Sequence, residues 1–289
     1  MKFSILIPTW NNLPFLKLCI RSIEQNSQTD HEILIHINDG SDGTLEWVKE
    51  NGYKYIHTKE NIGVCWALNG LRSMVTTDYI VFVNDDMYMC PGWDKSFADE
   101  IRNIPDKLFF LASSTIQPEG HKLRPIGVPV SDFGRTPDEF REEDLIRYAS
   151  ELEIPDTCGC VWPPNIVHRD LWDLVGGYSI EFSPGLGSDP DFSAKLYMAG
   201  VRCFKTLGTS LCYHFMSVSV NRITKNKGRV QFLRKWNMTV HAFLEHYLHI
   251  DVLWTECTDT RPILPKCRIY GSMIKRVFTC LKKTHAPEL

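Results

Sequence analysis

Two groups of carboxylates in this 289-residue chain have a type and spacing that suit chemistry. Asp85 and Asp86 follow directly on Tyr79-Ile80-Val81-Phe82-Val83-Asn84. So apolar a run reads as a strand covered on both faces, the kind found inside parallel sheets. Its end then falls at the carboxyl edge of a sheet, where open α/β folds bind ligands. Adjacent aspartates repel unless a positive charge lies between them and a partner. A divalent cation holding a diphosphate fits, because carboxylate and phosphate oxygens suit Mg²⁺ or Mn²⁺. A solvated Asp pair in a surface turn is the plainer reading of the same residues. The second group is Asp189 and Asp191, which the glycine-rich stretch Phe182-Ser183-Pro184-Gly185-Leu186-Gly187-Ser188 delivers to the start of a helix running to about Ala199. Carboxylates in a first helical turn are favoured by the helix dipole whatever else they do.

The elements that must position these groups follow from the hydrophobic pattern. Apolar strands are predicted over Phe3 to Ile7, Ile33 to Ile37, Tyr53 to His57, Tyr79 to Val83 and Leu108 to Ala112. Helices fall between the first four: one after Asn11-Asn12 with Leu16, Cys19, Ile20 and Ile23 on a stripe, one over Leu45 to Glu50, and one from Gly63 to about Val75. Strands separated regularly by helices argue for right-handed β-α-β units and a parallel sheet. The polar strand ends, Thr9 to Asn12, Asn38 to Ser41, Lys59 to Gly63 and Asn84 to Asp86, should then lie along one edge. Trp93 to Ile101 reads as a helix. The prolines at 118, 125, 129 and 137 make 113 to 150 a long irregular stretch with a helical pattern near its end. A strand closes at His214. One long apolar stripe, Phe232 to Leu248, reads as a helix, and so does Ile269 to Leu281.

Composition bounds the class. With 43% hydrophobic and 23% charged residues the chain is neither disordered nor of a membrane class. It holds no run of about eighteen apolar residues and no leader pattern, so a cytoplasmic protein is expected, at most peripheral at the inner face of a membrane. The ten cysteines lack zinc spacing and are read as reduced, mostly buried thiols. The net charge of −3 is uneven: from Phe215 onward 13 Lys and Arg stand against 5 Asp and Glu. A separate basic helical extension over 215–289 is expected. Its last helix sets Ile269, Tyr270, Met273, Ile274, Val277, Phe278 and Leu281 against Arg268, Lys275, Arg276, Lys282 and Lys283. That pattern suits either packing on its own domain or peripheral contact with an anionic membrane. Nothing points to a nucleic-acid partner, and no signature sets an oligomeric state.

Taken in order, Ile5-Leu6-Ile7-Pro8-Thr9-Trp10-Asn11-Asn12, Asn38-Asp39-Gly40-Ser41-Asp42-Gly43-Thr44, Asn61-Ile62-Gly63 with Asn69, Asn84-Asp85-Asp86, Gly176-Gly177-Tyr178 and Ser188-Asp189-Pro190-Asp191 resemble a family 2 glycosyltransferase. The resemblance implies an α/β fold of the GT-A type, with a mostly parallel central sheet sandwiched by helices over 1–214, divided into a nucleotide-sugar half (1–112) and an acceptor half (113–214). It implies transfer of a single sugar from a nucleotide-diphosphate sugar, most commonly a UDP-sugar, to a glycan, lipid-linked or other hydroxyl acceptor, with inversion. It further implies that Asp86, with His214, holds Mn²⁺ or Mg²⁺, and that Asp85 meets the ribose or sugar. Pro8, Thr9, Asn11, Asp39, Asn61, Gly63, Asn69 and Asn84 become donor-binding positions. Asp189 becomes the general base, with Asp191 in support, and an Asp near its ordinary pKa of about 3.9 is ionised at neutral pH. Alternative roles stay open for Asp39, as a turn and helix cap, and for His214, as a hydrogen-bonded core residue.

Departures from the family pattern are Asn84 in place of a first aspartate, a loop after the second strand one residue shorter than usual, and Gln231-Phe232-Leu233-Arg234-Lys235-Trp236, one residue longer than the Gln-x-x-Arg-Trp motif of processive synthases. The loop Pro8 to Asn12 has no glycine to cradle a triphosphate, against a sugar-nucleotide nucleotidyltransferase, and no Gly-x-Gly-x-x-Gly, against a dinucleotide oxidoreductase. A non-catalytic nucleotide-sugar-binding protein is the remaining alternative.

Overall fold

A computed structural model describes residues 1–119, 128–216, 226–256 and 266–281. The first strands and helices alternate as their patterns require: β1 (Ser4–Trp10), α1 (Leu13–Asn26), β2 (Glu32–Asn38), α2 (Thr44–Glu50), β3 (Lys54–Thr58), α3 (Val64–Leu71) and β4 (Tyr79–Phe82). β1 pairs in parallel with β2 and β4, and β2 with β3. The strand ends that carry the polar loops therefore share one edge, as expected.

Beyond β4 come β5 (Met87–Met89), α4 (Trp93–Asn103), β6 (Phe109–Ile116), α5 (Glu142–Glu151), β7 (Thr157–Cys158), β8 (Asn165–His168), α6 (Arg169–Val175), α7 (Ser188–Met198) and β9 (Cys203–His214). The sheet runs β3-β2-β1-β4-β8-β6-β9-β5, with β7 also on β9. It is mostly parallel, and antiparallel ladders enter where β8 joins β4 and β6 and where β5 and β7 join β9. Opposite β6, β9 bulges between the partners of Ser113 and Ser114. Three short strands, β5, β7 and β8, were not legible in the sequence. Each is four residues or fewer, too short to show a period of two.

Alternation along the buried strands divides the core into two layers. Ile5, Ile7, Ile35, Ile37, Val81 and Val83 pack against Leu16, Cys19, Ile20 and Ile23 of α1 and Trp93, Phe97 and Ile101 of α4. Leu6, Leu34, Ile80 and Phe82 face the other way, onto Cys65, Leu68, Leu171, Trp172, Phe192 and Leu196. Helices on both faces of one sheet are what its two apolar faces demand.

The C-terminal stripe does not form one helix. It breaks into α8 (Gly228–Trp236) and α9 (Val240–His246). Asn237 closes α8 in the left-handed conformation at φ 58°, and the Thr239 side chain accepts from Ala242 N to open α9. Phe232, Phe243, Leu244 and Leu248 enter the same apolar layer as α7. α10 (Lys266–Leu281) follows. The thiol expectation needs one correction. Cys19, Cys65, Cys90, Cys160, Cys203 and Cys212 are free, but Cys158 is disulfide-bonded.

Candidate active site

The shared strand edge opens into a cleft of about 500 Å³. Asp86 and Asp189, some hundred residues apart in the chain, both line it. Pro8, Thr9, Asn61, Gly63, Asn84, Asp85 and His214 line it too.

The donor end is built by hydrogen bonds between strand ends. Thr9 Oγ1 donates to Asp85 Oδ2 at 2.6 Å, which fixes one carboxylate of the pair against β1. Asn38 closes the next gap: its Nδ2 donates to Thr9 O at 3.2 Å and its Oδ1 accepts from Ile62 N at 3.0 Å. Asn61 Oδ1 accepts from Gly63 N at 2.9 Å, folding its loop back on itself. Only glycine fits at Gly63, where φ is +80° and a Cβ would stand 2.7 Å from the Pro184 Cα. Val64 N donates to Pro184 O at 3.0 Å, so the donor-side loop and the loop that carries Asp189 are in backbone contact.

Asp86, 6% exposed, and His214 meet because β5 runs antiparallel to the end of β9, with Met87 opposite His214. His214 Nε2 lies 3.3 Å from Asp86 Oδ2, and its Nδ1 lies 3.3 Å from the Gln117 amide nitrogen. Burial pulls the imidazole pKa down, but the carboxylates of Asp86 and Asp85 outweigh it, and the pKa is raised above the ordinary value. No cluster of three or more His, Cys, Asp or Glu able to hold a metal occurs among the described residues. Asp86 and His214 would hold a divalent cation; the carboxylate oxygen suits Mg²⁺ or Mn²⁺, whereas the imidazole nitrogen favours Mn²⁺ over the oxygen-seeking Mg²⁺.

In the same lining, the turn Pro184 to Gly187 delivers Asp189 at the start of α7. Burial pushes its carboxyl up to about 7, the neighbouring Tyr178 hydroxyl acting in the other direction. The ordinary carboxylate value expected from sequence is therefore corrected. Trp162, Pro163 and Leu186 add apolar surface to the cleft lining.

Four expected site residues are not among those that line the cleft. Asp191 is fully buried, accepts from Trp236 Nε1 at 2.8 Å and pairs with Lys235 Nζ at 2.9 Å, so it ties α7 to α8 and does not line the cleft. Asn69 clamps the Tyr178 backbone, donating to its O at 2.7 Å and accepting from its N at 2.8 Å. Asn11 and Asp39, both left-handed at φ 44° and 64°, also lie outside the cleft lining. Asn11 Nδ2 donates to Asp39 Oδ2 at 2.8 Å, and its Oδ1 accepts from Gly40 N at 2.8 Å. Hydrogen bonds from Ser41 and Asn11 lower the Asp39 pKa. Residues that line the cleft without having been singled out include Asn38, Thr115, Gln117, Trp162 and Met216. Asn38 had a signal, since it ends a strand whose successor opens a turn. Gln117 and Trp162 had none, because β6 and the 160s loop come to the site through β8 and β9.

A sheet with a topological switch beside β4 and carboxylates at its carboxyl edge is the architecture of a GT-A nucleotide-sugar transferase. The sequence matches the glycosyl transferase family 2 profile over residues 4–162, and the chain belongs to that family. No curated protein matches it significantly. Among solved structures it is similar to S. aureus TarS 1-349, at 18% identity and a TM-score of 0.59, over 99% of this chain and 74% of that one. The same protein's complex with UDP-GlcNAc matches at 16% identity and a TM-score of 0.56, over 96% of this chain and 72% of that one. A longer TarS chain matches at 18% identity and a TM-score of 0.55, over 96% of this chain and 44% of that one. At such identities the likeness extends to the fold. No described helix is long and apolar enough to cross a membrane.

Proposed function

We propose that this family 2 glycosyltransferase transfers a single sugar from a UDP-sugar to a hydroxyl acceptor with inversion, and that transfer depends on Mn²⁺ or Mg²⁺. The observation that carries the reading is that Asp86, paired with His214, and Asp189 line one cleft. When bound, a divalent cation neutralises charge developing on the departing diphosphate, an effect worth several kcal/mol. Asp86 and His214 are the residues that would hold it.

The chain's own groups do the rest. Asp85, held by Thr9, is placed to accept hydrogen bonds from the donor's ribose or sugar hydroxyls. Asp189 takes the proton from the acceptor hydroxyl as its oxygen attacks the anomeric carbon. A base with a pKa of about 7 is well matched to that work, since it is partly ionised at neutral pH yet holds a proton better than an ordinary carboxylate. Among the described residues the cleft is lined by Asp85, Asp86 and Asp189, and with Asp85 and Asp86 assigned to donor and metal only Asp189 is left for the acceptor, which favours direct displacement. The uridine of a relative's ligand is the ground for UDP.

Incubating the protein with a panel of sugar nucleotides and Mn²⁺ tests this reading. Slow release of nucleoside diphosphate from one donor, accelerated by an acceptor, is expected. Metal-dependent binding with no turnover under any acceptor would leave only a nucleotide-sugar-binding protein.

A further inference from the structure

One motif of the sequence, Gly176-Gly177-Tyr178 with Asn69, has no part in the chemistry so far. In the fold it is a device for holding one ring. Gly177 is left-handed at φ +61°, and a Cβ there would overlap Asn69 Oδ1. Asn69 can therefore come close enough to bond the Tyr178 backbone at both N and O. The Tyr178 ring lies flat on Phe192 of α7, with centroids 4.6 Å and planes 5° apart, and meets Phe82 of the cleft lining edge-on at 5.9 Å. Phe192 follows Asp189 by three residues, so the ring lies along the helix face that carries Asp189. What the clamp positions is a hydroxyl. Tyr178 is 1% exposed, and its OH is buried without a hydrogen-bond partner among the described residues. Packing alone would be served by phenylalanine, whereas an unpartnered buried hydroxyl costs desolvation and calls for a reason.

We propose that Tyr178 is a positioning residue for the base: its hydroxyl donates to the Asp189 carboxylate once that group is charged, and so aims it at the acceptor hydroxyl. The inference rests on Asp189 being the base of the proposed transfer. Asp189 is the acidic neighbour of this hydroxyl, whose pull lowers the carboxyl against the burial that pushes it up to about 7. Burial holds the Tyr178 hydroxyl itself well above its ordinary value, so it stays protonated and acts only as a donor. Hydrogen bonds of this kind are often long before substrate binds and tighten in the reacting complex. The other groups around the pair are Cys65 of α3, whose thiol burial pushes up to about 12, Cys160 ahead of β8, and Asn165 of β8, whose Nδ2 donates to Val161 O at 3.5 Å. Around the axis of α7, Asp191 is paired with Lys235, and Lys195 Nζ bonds the carbonyls of Val175 and Gly177. Both lysines are thus engaged away from Asp189.

The test titrates the Asp189 carboxyl by carbon-13 NMR in the full chain, labelled at the aspartate side-chain carboxyls and free of donor, with the signal assigned by its absence from Asp189→Asn. Tyr178→Phe keeps the stacked ring and removes only the hydroxyl. Its Asp189 midpoint should lie about one pH unit above the parent's, because the charged form has lost its donor. Its melting temperature at pH 5, where Asp189 is protonated, should not fall, since the hydroxyl had no partner to lose. On whichever donor the protein turns over, the acid limb of kcat/KM should move with the midpoint, by about tenfold at pH 6 and little at pH 9. Equal midpoints in the parent and Tyr178→Phe would overturn the proposal. So would a lower melting temperature with an unmoved midpoint, since the hydroxyl would then serve Asn165 or the packing. If those midpoints are equal while Asp189→Asn removes the acid limb, the positioning role alone falls; if the limb survives Asp189→Asn, the base assignment falls and the positioning role with it.

Discussion

The pKa of Asp189 makes the proposed chemistry testable by pH alone. Its carboxyl is pushed up to about 7 by burial in the cleft wall. The pH dependence of kcat/KM reports groups of the free enzyme, so this value applies directly. About a tenth of the base is ionised at pH 6 and about nine-tenths at pH 8, so kcat/KM should rise about tenfold between pH 5 and 6 and level off above pH 8. A base near the ordinary value of about 3.9 would give a flat profile over that range. Nucleoside diphosphate release at saturating Mn²⁺ is the assay, saturation keeping His214 neutral and out of the profile. Asp189→Asn should lower kcat about 10²- to 10⁴-fold, remove the acid limb and leave donor affinity nearly intact.

Stability gives a second readout of opposite sign. A carboxyl whose pKa is raised in the folded state stabilises fully below its unfolded pKa, and that contribution is lost as pH rises through about 7. The asparagine variant should therefore melt higher than the parent at pH 8, by an increment on the order of 1–4 kcal/mol, reduced because Asp189 is partly exposed, and no higher at pH 4. A flat parent profile from pH 5 to 8, or an acid limb that survives Asp189→Asn, would refute the assignment.

Asp86→Ala and His214→Ala should each weaken Mn²⁺-dependent donor binding by about tenfold or more in calorimetry and leave metal-free binding unchanged. Lys235→Met should destabilise by roughly 2–5 kcal/mol in urea, because it strips the cation from buried Asp191, whereas Lys235→Met with Asp191→Asn should cost less than Lys235→Met alone. Asn69→Ala leaves the Tyr178 N–H and C=O without their side-chain partner and should cost about 1–3 kcal/mol with donor affinity unchanged. Gly63→Ala meets both a left-handed φ and the Pro184 backbone, so it should lower kcat as well as stability, by about 1–3 kcal/mol.

The parallel half of the fold was legible because its strands are buried on both faces and its helices carry plain stripes. β1 to β4 and α1 to α4 stand close to where the apolar runs put them. The mixed half was not, because its pairing is decided by partners distant in sequence. β5 is three residues that form a strand only against β9, and β8 is four residues inserted between β4 and β6. The break between α8 and α9 was also hidden, since an apolar stripe can run across a left-handed turn without losing phase.

The site shows a sharper limit. Motif order says that a polar side chain is required at a position, but not which way it faces. Asn69 and Asn11, which the resemblance assigned to the donor, make hydrogen bonds to the Tyr178 backbone and to the Asp39 side chain. For Asp191 the inward placement was legible without coordinates. Residues two apart on an α-helix are separated by about 200° around its axis, so Asp189 and Asp191 at the start of α7 cannot both face one cleft. One must turn inward, and a carboxylate turned inward needs a donor or a cation. The chain supplies both in Lys235 and Trp236, within the extended variant of the Gln-x-x-Arg-Trp pattern. The extra residue in that stretch thus has a structural consequence: successive Lys235 and Trp236 both reach Asp191. The helix that presents the base is thereby tied to the C-terminal segment, and loss of that tie should disturb Asp189 even though neither Lys235 nor Asp191 lines the cleft.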